Sequence, residues 1–186
     1  MEIKALSQET FNDFTDMIER NSYSHNPNWK GCYCYYYHNT ISFKDWIERT
    51  SIDNKEASYQ AMLKKELFGF LLYDENKCVG WVNANDHTYY HRLENELSIF
   101  NDKKTALTIC YIIDEAYRNK GHARELLSHA VKYYMDKGYD QMIALPVTSK
   151  HARELHYRGS INMYEEQGYQ HYQTFGDVYV MVKNLK

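Results

Sequence analysis

Proline occurs only twice in this 186-residue chain, and no Pro-rich or other low-complexity stretch divides it. No internal repeat is visible, which excludes an array of small modules. Charge of one sign is also missing. Lys and Arg total 22 against 25 Asp and Glu, a net −3 that argues against a strongly electrostatic nucleic-acid surface. Long apolar runs are absent too. The most apolar short run, LFGFLLY, falls far below the roughly 20 residues needed to cross a bilayer. The opening MEIKALSQETFNDF is polar and acidic, unlike a secretory signal. The four cysteines then read as reduced thiols of a cytoplasmic protein. What the chain does hold is tyrosine, 19 residues of it, and enough length for one compact domain burying roughly 70% of its unfolded surface.

Periodicity divides this single domain, residues 1–186, into helices and strands. Residues 2 to 6 read as a short strand. Ser7 is expected to cap a helix with Phe11, Phe14 and Ile18 on its inner face. Residues NPNWKGCYCYYYH read as part loop and part extended. Ser42 with Asp45 resembles a capping box, with Ile41 and Trp46 at staple spacing. Asp53 with Glu56 suggests a second box opening a helix to about Leu67. GFLLYDENKCVGWVNAN reads as two strands about a turn at Asp74–Lys77, and residues 86 to 104 as polar and irregular. Thr105 to Ile113 is a buried strand. From His122, residues Ala123, Leu126, Leu127, Ala130, Val131 and Tyr134 share one helical face, and Gly138 can end that helix. QMIALPV is a further buried strand. A basic loop, a short helix through SINMYEEQ and a strand pair close the chain. Strands flanking helices, with hairpins at both ends, predict a mixed α/β or α+β domain.

The turn into the helix at His122 poses a charge problem. Arg118, Lys120 and Arg124 crowd its positive end, where a cation is disfavoured by roughly 0.3–1 kcal/mol. No Ser, Thr or Asp stands at the cap. Free N–H groups beside basic side chains form an anion site, and Gly121 lets a phosphate or pyrophosphate approach the backbone. A solvated basic turn with a helix-entry glycine is the plain alternative.

Tyr117, Arg118, Gly121 and Ala123, placed between a strand and a helix, resemble the [QR]-x-x-G-x-[GA] motif of the GNAT superfamily of acyl-CoA-dependent N-acetyltransferases. Tyr164, Gly168 and Tyr169, before a closing strand pair, resemble its Y-x-x-x-G-[FY] ending. The resemblance covers residues 68 to 183 well and the N-terminal third loosely. Trp29, Cys32, Cys34 and the later Val79-Gly80-Trp81 further resemble a subset of bacterial members with W-x-x-C-x-C near the N-terminus.

This resemblance implies a central, mixed but mostly antiparallel sheet with helices on both faces and a splayed central strand pair. It implies acetyl-CoA as cosubstrate, with its pyrophosphate on the backbone of Asn119, Lys120, Gly121, His122, Ala123 and Arg124, beside Arg118. The pantetheine arm would pair with Tyr111, Ile112 and Ile113, splayed from the strand at 141 to 145. The Ile113 N–H would polarise the thioester. A neutral amine would attack directly, and the Tyr164 hydroxyl would protonate the departing thiolate. Without the resemblance, Tyr164 reads as one more core aromatic.

Two positions depart from the family pattern. Tyr157 stands where many members have Asn, and Thr105–Ile113 carries no acid to act as base. Asp86 and His87 are the candidate replacements, or else solvated loop residues. A water chain would serve without either.

Cys32 and Cys34 would share one side of an extended segment, with Tyr33, Tyr35 and Tyr37 on the other. His25 and His38 flank them, but the spacing is not a common zinc pattern. Small thiols lining an acceptor pocket fit better, and no metal is expected.

The expected activity is N-acetylation of a small amine or a protein amine in the cytoplasm, without nucleic acid or membrane and with a homodimer possible. Two other readings are a catalytically silent acyl-CoA-binding module and an RNA-binding protein that stacks its tyrosines. The second lacks a basic stripe.

Overall fold

The computed structural model describes residues 1–21, 31–148 and 157–186. The elements are β1 (Glu2–Ala5), α1 (Phe11–Arg20), α2 (Phe43–Glu48), α3 (Ser51–Leu63), β2 (Gly69–Asp74), β3 (Lys77–Asp86), α4 (Glu94–Leu97), β4 (Thr105–Ile113), α5 (His122–Asp136), β5 (Gln141–Ala144), α6 (Ile161–Glu166), β6 (Gln170–Phe175) and β7 (Val178–Asn184). The strands form one seven-stranded sheet in the order β1-β2-β3-β4-β5-β7-β6. Only β4 and β5 run parallel; the other neighbours are antiparallel. This is the mixed, mostly antiparallel α+β sheet that the resemblance implies.

Side-chain alternation gives the sheet two buried faces. Leu71, Trp81, Leu107 and Ile143 pack with Phe14, Met17 and Ile18 of α1. Phe70, Val82, Ala106 and Met142 pack with Leu126, Leu127 and Ala130 of α5, and with Met163 and Tyr164 of α6. A bulge interrupts this alternation in β4. Val82 pairs with Tyr111, but Ala84 pairs with Thr108, so β4 carries one residue more than β3 across that stretch. As a result Ile109 and Cys110 both join the α1 face, and Tyr111 joins the α5 face.

Three local expectations are corrected. Ser7 does not cap α1. It opens a turn in which its own N–H donates to Thr10 Oγ1 at 2.9 Å, and the helix starts after Thr10. The box expected at Asp53 and Glu56 forms three residues earlier. Asp53 N donates to Thr50 Oγ1 at 3.1 Å and Thr50 N to Asp53 Oδ2 at 3.0 Å. That helix ends at Leu63 rather than Leu67, because Lys65 takes a left-handed conformation (φ 62°) and Glu66 N folds back onto the Ala61 carbonyl. Finally, residues 31 to 38 are not extended. Tyr33 and Cys34 have φ values of 45° and 56° and make a tight turn. Side chains of α3 hold it: Asn54 Nδ2 donates to the Gly31 carbonyl and Ser58 Oγ to that of Tyr33.

Candidate active site

The N-terminus of α5 is built as an open cradle. Gly121 precedes the helix at φ 87°, and no side chain caps it. A Cβ at Gly121 would meet nothing within 4 Å, so the space above the turn is free. Asn119 also adopts a positive φ, 61°. Among the described residues, no acceptor meets the amide N–H groups of Asn119 to Arg124; the first helical bond is Glu125 N to the Gly121 carbonyl. The surrounding cations are each engaged. Arg124 is held by both carboxylate oxygens of Glu166, Arg118 Nε donates to the Ile113 carbonyl at 3.0 Å, and Lys120 lies over the Tyr117 ring. Glu166 and Glu125 therefore temper the charge crowding, and the cradle's unsatisfied donors are backbone groups.

A gap in the sheet leads away from this cradle. β4 and β5 pair only from Thr105–Gln141 to Thr108–Ala144. Beyond that, β5's continuation stays with β7, where Tyr179 N donates to the Pro146 carbonyl at 2.8 Å. β4 stays with β3, where Asp114 N donates to the Val79 carbonyl at 2.9 Å. Antiparallel strands alternate their bonding direction. Asp114 and Ile112 therefore face β3, while the N–H and carbonyl of Tyr111 and the N–H of Ile113 turn into the gap; the Ile113 carbonyl on that side is taken by Arg118 Nε.

Tyr164 stands against this gap on the α5 face. It has no exposed surface, its ring centroid lies 6.4 Å from that of Tyr111, and its hydroxyl donates to the Arg158 carbonyl at 2.6 Å. Ser160 caps α6 by accepting from Met163 N, and Tyr164 follows one position later. Burial first, and the Tyr111 phenol second, push the Tyr164 hydroxyl well above the ordinary tyrosine range. It keeps its proton throughout the working range of a protein. Among the described residues, the buried hydroxyls of Thr108 and Tyr111 meet no hydrogen-bond partner. Free amides at a helix start, an unpaired strand edge and orphaned hydroxyls fit a ligand with a diphosphate and an extended amide arm.

The family model for acetyltransferases (GNAT) matches residues 25–169. The chain belongs to the GNAT acetyltransferase family. No curated protein matches the chain in sequence. Among solved structures, a putative acetyltransferase from Salmonella typhimurium, solved with its cofactor acetyl-CoA, is similar at 18% identity and a TM-score of 0.58, covering 100% of this chain and 94% of that one. An N-acetyltransferase from Staphylococcus aureus is similar at 16% and 0.55, covering 100% and 98%. The ribosomal-protein-S18-alanine N-acetyltransferase of Escherichia coli is similar at 13% and 0.53, covering 100% and 94%.

Other GNAT expectations fare differently. Asp86 and His87 do not reach the gap. Asp86 pairs with Ala106, five residues along β4 from Tyr111, or about 16 Å at the rise of a strand. Neither is a solvated loop residue: His87 is buried, with Nδ1 facing the Thr105 carbonyl and Nε2 facing Asn101 Oδ1. Cys34 lies under Trp81, whose Nε1 donates to Cys34 Sγ at 3.2 Å, while Cys32 is half-buried. Among the described residues, no group of three or more His, Cys, Asp or Glu is placed to hold a metal ion. Trp29 and His25 lie outside the described residues. No described helix is long and apolar enough to cross a membrane.

One group was not anticipated. Tyr157, at the position of the family's Asn, puts its hydroxyl 2.8 Å from that of Tyr37, and Arg158 Nη2 donates to the Tyr37 hydroxyl at 2.7 Å. Tyr37 reads in the sequence only as one side of an extended segment, and nothing local to Arg158 sets it apart from the basic loop before it. Gly159 was missed as well: at φ 81°, an added Cβ would stand 2.8 Å from the Tyr164 hydroxyl. Its signal was the glycine beside a cap serine, five residues before the tyrosine.

Proposed function

We propose that residues 1–186 act as one acetyltransferase domain that moves an acetyl group from acetyl-CoA to a primary amine by direct attack in a ternary complex. The observation that carries this reading is that β4 parts from β5 beyond Thr108, leaving the backbone of Tyr111 and the Ile113 N–H turned into the gap, ahead of the uncapped, left-handed start of α5. Acetyl-CoA supplies the activated acyl group. Amides of Asn119 to Arg124 hold its pyrophosphate, and the edge groups of Tyr111 with the Ile113 N–H hold its pantetheine arm as an added strand. Ile113 N–H, turned into the gap, polarises the thioester carbonyl. The amine nitrogen bonds to that carbonyl carbon and the carbon–sulfur bond breaks. Tyr164 gives its proton to the thiolate, exchanging its bond to the Arg158 carbonyl for one to sulfur. No described carboxylate stands at the gap, so the proton of the new ammonium leaves through water. The acceptor is a small amine or a protein amine, and the setting is cytoplasmic.

The test follows release of free CoA thiol from acetyl-CoA with a panel of primary amines. Release well above the amine-free rate with at least one amine is expected. Tight binding of acetyl-CoA without turnover of any amine would instead favour a silent acyl-CoA-binding module.

A further inference from the structure

The Arg158 guanidinium is half-buried on the α1 side of the sheet, opposite α5. Its partner Tyr37 belongs to that face, Tyr157 packs against it, and so does Cys110 from the β4 bulge. Arg158 is also placed at the gap. The Pro146 carbonyl is taken by β7, so by alternation the Leu145 carbonyl turns the other way, into the opening between β4 and β5. Arg158 Nη1 lies 3.5 Å from that carbonyl. Through its own backbone the same residue accepts the Tyr164 hydroxyl on the opposite face. Arg158 therefore joins the two sides of the opening where acetyl transfer is placed.

Among the described residues, the hydrogen bonding of this guanidinium is incomplete. An arginine has five N–H donors. Nε reaches Tyr157 Oη at 3.4 Å, Nη2 reaches Tyr37 Oη at 2.7 Å, and Nη1 reaches the Leu145 carbonyl. One N–H on each terminal nitrogen is left with no described acceptor. All three acceptors are neutral oxygens, and no described carboxylate pairs with the cation. The rings of both tyrosines stand beside it, 5.6 and 5.8 Å from the guanidinium carbon. Burying a charge without an opposite charge is costly. Arginine is also the side chain whose planar fork matches a carboxylate at two points.

Building on the acetyltransferase reading, we infer that the acceptor is a small primary amine that also carries a carboxylate, which Arg158 binds through the N–H on each terminal nitrogen that meets no described acceptor. Tyr37 and Tyr157 keep the fork in place, and the carboxylate sets where the amine stands relative to the thioester.

The experiment uses matched amines: α- and ω-amino acids against their methyl esters, with acetyl-CoA and the whole chain. The esters of α-amino acids are the less basic amines and are more often neutral, so amine reactivity alone favours them. The wild type should prefer at least one acid over its ester by about tenfold or more in kcat/KM. In Arg158→Gln that preference should fall to about threefold or less, with the change mainly in KM for the acid. Arg158→Lys, which keeps the charge but not the fork, should lie between. Should no amine turn over, the same acids are tested by ligand-observed NMR for binding to the protein–CoA complex, with the same dependence on Arg158 expected. Equal handling of acids and esters by the wild type, a preference unchanged in Arg158→Gln, or no acid that binds through Arg158 overturns the assignment. Failure of the wild type to bind acetyl-CoA would sink the acetyltransferase reading itself, so the two failures are told apart.

Discussion

Tyr164 is fully buried, and its hydroxyl donates to the Arg158 carbonyl. Tyr164→Phe should lower kcat on the order of a hundredfold and leave acetyl-CoA affinity within a few-fold, because the proton is needed only when the thiolate leaves. Stability should fall by about 1–3 kcal/mol, since the Arg158 carbonyl loses its donor; kinetics and urea unfolding on one preparation check both. His38 makes a second prediction at this scale. Its Nδ1 faces the Tyr89 carbonyl and so carries the proton, and Nε2 accepts from Asn83 Nδ2, whose Oδ1 accepts from Tyr90. Burial, above all, lowers the His38 pKa from 6.5 to about 4. The unfolded chain takes up this proton below pH 6.5, and the folded chain refuses it until about pH 4. Stability therefore falls as pH drops through that window, by about 3 kcal/mol from this group, and levels off below it. His87 has the opposite sign. Burial opposes its charge, but Asp86 and Asn101 raise its pKa, so its contribution is present below pH 6.5 and lost as pH rises through the raised value. Comparing the pH dependence of urea unfolding in wild type and His38→Gln isolates the His38 part; identical slopes would show that His38 titrates normally.

Among the elements, those with strong periodicity were legible in the sequence to the residue. β4 occupies Thr105–Ile113 and α5 starts at His122 as the spacing predicts, because apolar runs and an i, i+3, i+4 stripe leave little choice of period. Helix ends were less legible. Thr50 and Asp53 form the box that the spacing of Asp53 and Glu56 suggested three residues later, since several Ser, Thr and Asp in TSIDNKE satisfy the same pattern. The turn at Tyr33 and Cys34 was illegible, because a Tyr-Cys pair without Gly, Asn or Asp gives no sign of positive φ; α3 holds it through Asn54 and Ser58. Thr50→Ala removes the Asp53 N acceptor on the exposed side of α3. It should cost about 1 kcal/mol in thermal or urea unfolding and leave acetyl-CoA binding unchanged. A loss within error would mean that the helix start is held by packing.

Across the whole molecule, the sheet brings together the two halves of the proposed site that sequence spacing presents separately. The αL glycine and the Tyr164 motif were legible because each is a short pattern with one structural context. The β4 bulge and the Tyr37–Tyr157–Arg158 group were not. The bulge breaks alternation within an all-apolar run, and Tyr37 meets Tyr157 across 120 residues. The central claim is that acetyl-CoA binds over Gly121 and along the β4 edge. The most direct measurement is unfolding of wild type and Gly121→Glu with and without acetyl-CoA. A hundredfold excess over Kd should stabilise the wild type by about 2.7 kcal/mol. The glutamate would place a negative side chain in the open space of the phosphate cradle and should abolish that gain. Its own left-handed position should cost about 1–2 kcal/mol without ligand. Equal stabilisation of both proteins would contradict the account.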